Sequence, residues 1–171
     1  MKAQISFVEF LTAMLIFITF VGYFSIQILM FIPSYINEVR SENLRSEAFQ
    51  ISELLINDPG EPLEWNLNFK DANRTGLSDH TQNKTNLLSG VKILALDSEC
   101  QKNYDLVKEK MGLDHDFSLI LIDRKTDKPK IENCYPKSIT KFRQVNITIR
   151  RVIAYEEDGN INYGEMILQV W

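Results

Sequence analysis

Two cysteines, two histidines and 23 carboxylates are the side chains from which this 171-residue sequence would have to build any chemistry. The histidines, His80 and His115, stand in polar stretches, with no Cys, Asp or Glu at metal-ligand spacing on a regular element. Asp114 and Asp116 flank His115, but a solvated turn is the better reading of that triplet than a cation site. No G-x-S-x-G, P-loop, G-x-G-x-x-G or H-E-x-x-H occurs, and the seven glycines are scattered. Neither an activated nucleophile nor a phosphate cradle is therefore encoded. Only one carboxylate, Glu9, has an apolar context. No enzyme, metal or cofactor is expected. What remains is modification chemistry. Cys100 and Cys134 can pair, and N-x-T sequons occur at Asn73, Asn83 and Asn146. Asn73 and Asn83 fall in a loop suited to carry glycans, whereas Asn146 falls within an expected strand and is the poorer acceptor.

The elements that position these residues start with an apolar helix. Phe10 to Ile32 runs 23 residues without a charge. A helix of that length spans about 35 Å, enough for a hydrocarbon core of about 30 Å. Lys2 and Glu9 alone carry charge before it, and the next charge is Glu38. A soluble core helix would turn a polar face to water, and this one has none. A cleaved secretory signal has a shorter apolar stretch and small residues at the cut, which Phe31-Ile32-Pro33-Ser34-Tyr35 lacks. A retained transmembrane helix is expected. Lys2 and the initiator amine favour a cytoplasmic N-terminus, with residues 34–171 outside. Two cysteines in an outward-facing domain are expected to pair, tying an inter-helix loop to the second strand.

Outside Lys2 and Glu9 the chain carries 18 basic and 22 acidic residues, interspersed along its length. No basic block supports nucleic-acid binding. The length beyond the membrane segment fits one compact domain.

From Ser34 to Ile56 the chain continues as helix. Apolar residues at Ile32, Ile36 and Val39, then Leu44, Ala48, Ile51 and Leu55, form one stripe, opposite Glu38, Arg40, Glu42, Arg45, Glu47 and Glu53. Asn57-Asp58-Pro59-Gly60 ends it. Residues 63–85 read as loop with one strand near Leu63–Phe69, and Trp65 as a lid over the core. Asn86–Leu96 has helical spacing at Leu87, Val91 and Leu94. Lys102–Met111 is a second short helix, stopped by Gly112. Phe117–Asp123, Lys130–Tyr135, Val145–Tyr155 and Ile161–Trp171 read as strands, the last two joined at Asp158-Gly159. Arg151 interrupts the apolar face of its strand. The expected fold is α+β: a long N-terminal helix, two short helices and an antiparallel sheet of three or four strands.

Several of these segments resemble a known family. Lys2-Ala3-Gln4, directly before an apolar helix with an acid at Glu9, resembles the class III signal peptide of archaeal type IV pilin-like proteins. Leu54-Leu55-Ile56 followed by Pro59-Gly60-Glu61-Pro62 and Trp65 resembles a recurring junction in that family. Gly76-Leu77, Tyr104 to Lys108 before Met111-Gly112-Leu113, Phe117-Ser118-Leu119 and Val170-Trp171 continue the likeness. Their order along most of the chain carries the resemblance. It implies that a prepilin peptidase removes residues 1–3 and leaves Gln4 as the new N-terminus. Residues 4–32 would be the membrane helix, 33–56 its amphipathic extension and 57–171 an extracytoplasmic head.

The family's acid pairs with a neighbouring subunit's terminal amine. Glu9 would take that role, although it is sixth from Gln4 where the family's acid is fifth. The implied function is a structural subunit of a pilus-like filament. The implied partners are membrane lipid, the peptidase, further pilin-like subunits and the assembly machinery. Two alternatives stay open: a minor, non-filamentous pilin-like subunit, and a monomeric membrane-tethered binding domain.

Overall fold

A computed structural model describes residues 2–80, 86–137 and 146–171. The chain divides into two compact units, Met1–Glu42 and Asn43–Trp171.

The first helix, α1, is Lys2–Asn57, and it continues through Pro33. From Phe7 onward it is long and apolar enough to cross a membrane, and the residues of its apolar window are unburied. Its hydroxyls do not break the apolar character. Thr12 Oγ1 donates to Val8 O and Glu9 O, Thr19 Oγ1 to Leu15 O, and Ser25 Oγ to Val21 O. Each satisfies its proton on a carbonyl of the preceding turn.

The second unit begins within α1. Leu44, Ala48, Ile51 and Leu55, at steps of four, three and four, are all buried and form part of the core. They meet one face of a sheet of five strands. These are β1 (Leu87–Ser89), β2 (Phe117–Asp123), β3 (Pro129–Cys134), β4 (Ile147–Glu157) and β5 (Asn160–Val170), in the order β1-β4-β5-β2-β3. Two further helices, α2 (Gly90–Lys102) and α3 (Tyr104–Met111), precede β2. The fold is α+β, as the sequence predicts.

The sheet is five-stranded and mixed, not purely antiparallel with three or four strands. The additional strand is β1, parallel to β4 through Leu87↔Ala154, Leu88↔Tyr155 and Ser89↔Glu156. Helix was expected across Asn86–Leu96. Instead Leu87 and Leu88 are extended and buried, and helix starts at Gly90. A Cβ at Gly90 would lie 2.4 Å from Glu156 O, so only glycine lets the turn approach β4 this closely. The buried face of α2 includes Lys92, Ile93, Leu96 and Cys100, while Val91 and Leu94, whose spacing suggested the helix, are exposed.

No strand forms near Leu63–Phe69. Those residues make turns and a single 3₁₀ turn, Phe69–Asp71. α3 begins at Tyr104, where Asn103 Oδ1 caps Leu106 N, and ends at Gly112, in the left-handed region at φ 71°. β2 has the expected bounds and alternates buried and half-buried residues along its length.

Candidate functional site

The disulfide joins Cys100 to Cys134, with Cα atoms 4.9 Å apart across a separation of 34 residues. Cys100 lies near the end of α2 rather than in the inter-helix loop, and Cys134 closes β3. Both are buried in the core. The bridge therefore fastens α2 to an edge strand.

The other predicted residues do not converge on one place. Lys2, Ala3 and Gln4 lie at the start of α1, and their side chains are outside the described residues. Glu9 is exposed, and its carbonyl accepts from Thr12 Oγ1 at 2.9 Å. Asn73 is exposed, but its sequon partner Thr75 is buried, with Oγ1 unpartnered among the described residues. Asn83 is outside the described residues. Asn146 is exposed and precedes β4, so it is not a strand residue as the sequence suggested.

The Asp114-His115-Asp116 triplet is divided among separate partners. His115 Nδ1 meets Glu47 Oε2 of α1 at 2.6 Å, and Glu47 Oε1 accepts from Asp114 N at 2.9 Å. Asp116 pairs with Lys108 at 2.8 Å. The triplet anchors the α3–β2 connection to α1. Among the described residues no three of His, Cys, Asp and Glu gather as metal ligands. His80 is exposed.

Sequence reasoning missed the polar cluster that fixes the end of α1. Asp58 Oδ1 accepts from Gly60 N at 2.7 Å, and Asp58 Oδ2 pairs with Arg74 Nε at 2.8 Å. The fully buried Trp65 donates Nε1 to Gly76 O at 2.9 Å and to Pro59 O at 3.2 Å. Trp65 is thus enclosed rather than laid over the core. Lys92, from α2, brings its ammonium to the same Pro59 O at 2.6 Å and to Ser78 O at 3.2 Å. Burial holds the Lys92 pKa below its usual value, against the opposing pull of Asp79 and Asp58. Nothing in the local pattern around Lys92 marks it as buried. The Asn-Asp-Pro-Gly turn that receives it was the one legible part.

Beside this cluster runs a groove of about 820 Å³, bounded by Glu53, Leu54 and Asn57 of α1, by Pro62 and Leu63, and by Arg74. Two of its acids are compensated. Glu53 binds Arg151 of β4, and Asp58 binds Arg74. Glu61 is exposed and has no side-chain partner among the described residues. The groove therefore joins exposed apolar side chains, Leu54 and Leu63, to one uncompensated negative charge.

Among the described residues, the sheet face turned away from α1 is exposed along β4 and β5, while Leu87 of β1, in the row of Ala154, is buried. Registers place Ile120, Ile167 and Arg150 in one row, and Ile122, Glu165 and Val152 in the next. Ala154 and Tyr163 follow, and Glu156 stands opposite Ile161 at the hairpin end. Val152 is 84% and Tyr163 65% exposed. Glu165, at the centre, is held by Arg124 and lies 3.7 Å from Arg150. A solvated sheet face usually alternates to polar residues; this one is apolar at about half its positions.

Comparison of the chain with protein-family models, with curated proteins and with solved structures returns no match.

Proposed function

We propose that this chain is a structural subunit of a pilus-like filament of the archaeal type IV class, acting by assembly rather than by catalysis. One observation carries the reading: a single helix, Lys2–Asn57, is apolar and unburied in its first part and supplies core residues to an α+β unit in its last part. The order of motifs adds to it, from Lys2-Ala3-Gln4 through Pro59-Gly60-Glu61-Pro62 and Trp65 to Val170-Trp171. In this reading a prepilin peptidase removes Met1 to Ala3 at the cytoplasmic surface. The helix then anchors the subunit in the membrane, with the disulfide-bonded unit outside. Assembly machinery moves the subunit into a filament in which apolar helices bundle and the α+β units face outward.

The test is intact-protein mass spectrometry of the membrane-extracted chain after coexpression with a prepilin peptidase. A mature N-terminus at Gln4, with the apolar helix retained, is expected. A chain still starting at Met1, from cells whose peptidase processes a control substrate, would overturn the reading in favour of a plain single-pass anchor.

A further inference from the structure

We propose that the groove beside Glu61 receives the open sheet face of a second copy of this chain, through Val152 and Arg150. The proposal rests on the filament reading and names the head-to-head contact within it.

The two surfaces carry complementary charge and exposed apolar side chains. In the groove, Glu53 and Asp58 are neutralised by Arg151 and Arg74, which leaves Glu61, beside Leu54 and Leu63, as the lining carboxylate without a side-chain partner among the described residues. On the sheet face, Glu165 is neutralised chiefly by Arg124, and Arg150 extends from the surface, its side chain 69% exposed. Val152 stands two residues along the same strand face and is 84% exposed. An apolar knob beside one cation thus faces an apolar groove beside one anion. Removing both from water would form the ion pair at the edge of an apolar contact, where partial desolvation strengthens it.

Position sets the symmetry. The groove lies on the helix side of the sheet, because Glu53 at its wall reaches Arg151 on the inward face of β4. Arg150 and Val152 project from the opposite face. Each copy therefore carries the two halves of the contact on opposite sides. Such a contact is heterologous, so it propagates from copy to copy, as an open array or a closed ring, instead of pairing two copies by a two-fold.

Paired cysteines test this in the full-length chain, in the membranes and filaments of cells expressing it. Leu63→Cys and Val152→Cys change exposed side chains, and the two native cysteines are already bridged. Mild oxidation of the double variant should give a ladder of dimers, trimers and higher multimers, while each single variant gives none. Charge reversal supplies the second arm. Glu61→Arg or Arg150→Glu alone should lower the ladder and the filament count about tenfold or more, and the two together should restore both. A ladder in membranes without wild-type filaments would keep this contact and remove the filament reading. Filaments without a ladder, unaffected by Glu61→Arg, would overturn the contact and leave the filament reading standing. A single cross-linked adduct with a different protein would also overturn it, because the occupant would then not be a second copy.

Discussion

Arg151 of β4 reaches Glu53 of α1, Nη2 to Oε1 at 2.6 Å, and lays its guanidinium over the Phe49 ring at 4.8 Å from the centroid. The residue that interrupts the apolar face of its strand is therefore the one that fastens that strand to the helix. Ser52 Oγ, at 3.3 Å, gives the guanidinium a further acceptor. Both charged side chains retain some exposure, so the pair is partly screened. A double-mutant cycle of Arg151→Ala and Glu53→Ala, followed by thermal unfolding of the detergent-solubilised chain, should give a coupling of about 0.5–1 kcal/mol. Strict additivity would show that the contact adds nothing to stability.

Reduction of the Cys100–Cys134 bridge should lower the melting temperature of the α+β unit. The bridge closes a 34-residue separation, and its loss should cost about 2–4 kcal/mol through the larger conformational freedom of the unfolded chain. Calorimetry with and without reductant, checked by thiol titration, reads the effect. An unchanged transition after complete reduction would contradict it.

Lys92→Met should destabilise by about 1–3 kcal/mol, although it replaces a charge by an apolar side chain of similar length. The ammonium is the donor for Pro59 O and Ser78 O, and Met offers neither carbonyl a proton. Denaturant unfolding measures the loss. A variant as stable as the parent would mean that water replaces the ammonium at no cost.

Asp123 sets part of the acid limit. Its carboxyl is held below the usual range by Lys125 N–H, and next by the Thr126 hydroxyl. A carboxyl whose folded pKa is depressed binds fewer protons folded than unfolded. Its contribution is present above the unfolded pKa of about 3.8 and is lost as pH falls through the folded value. Asp123→Asn should therefore flatten the fall of melting temperature below about pH 4, with the largest difference from wild type above that pH. Parallel curves across the acid range would contradict the assignment.

In the proposed filament reading, Glu9→Gln should leave membrane insertion and leader removal intact and lower the number of assembled filaments. Within a bundle of apolar helices an unpaired carboxylate is costly and needs a cation, and the freed amine of Gln4 on a neighbouring subunit would supply one. Filament counts by electron microscopy decide it. Undiminished filaments would assign Glu9 to the membrane interface alone.

The parts of this fold that were legible in the sequence are those with a long period. The Leu44–Leu55 stripe and the alternation of β2 each repeat over several residues, so packing and pattern agree. β1 offered no such repeat. It has three residues, and its partner in β4 lies far along the chain, so register rather than pattern creates it. α2 was turned the wrong way because spacing favoured Val91 and Leu94, whereas the tertiary structure buries Lys92 by meeting its ammonium with carbonyls from two loops. The groove escaped notice for a similar reason. That Glu61 alone of its acids lacks a partner among the described residues appears only after Arg151 and Arg74 have neutralised Glu53 and Asp58, and those pairings bridge distant segments.

The place of β5 between β4 and β2 has a consequence for timing during synthesis. A ribosome delivers β1, β2, β3 and β4 before β5 exists. Until then β1 can pair with β4 and β2 with β3, but these remain two separate pieces, each with an open row of N–H and C=O groups. The tight Asp158-Gly159 turn, with both residues at positive φ, then folds β5 back on β4 as soon as it emerges. One strand thus closes the sheet in a single late step. A pause in translation between β4 and β5 would prolong the interval in which both halves are open to pairing with other chains.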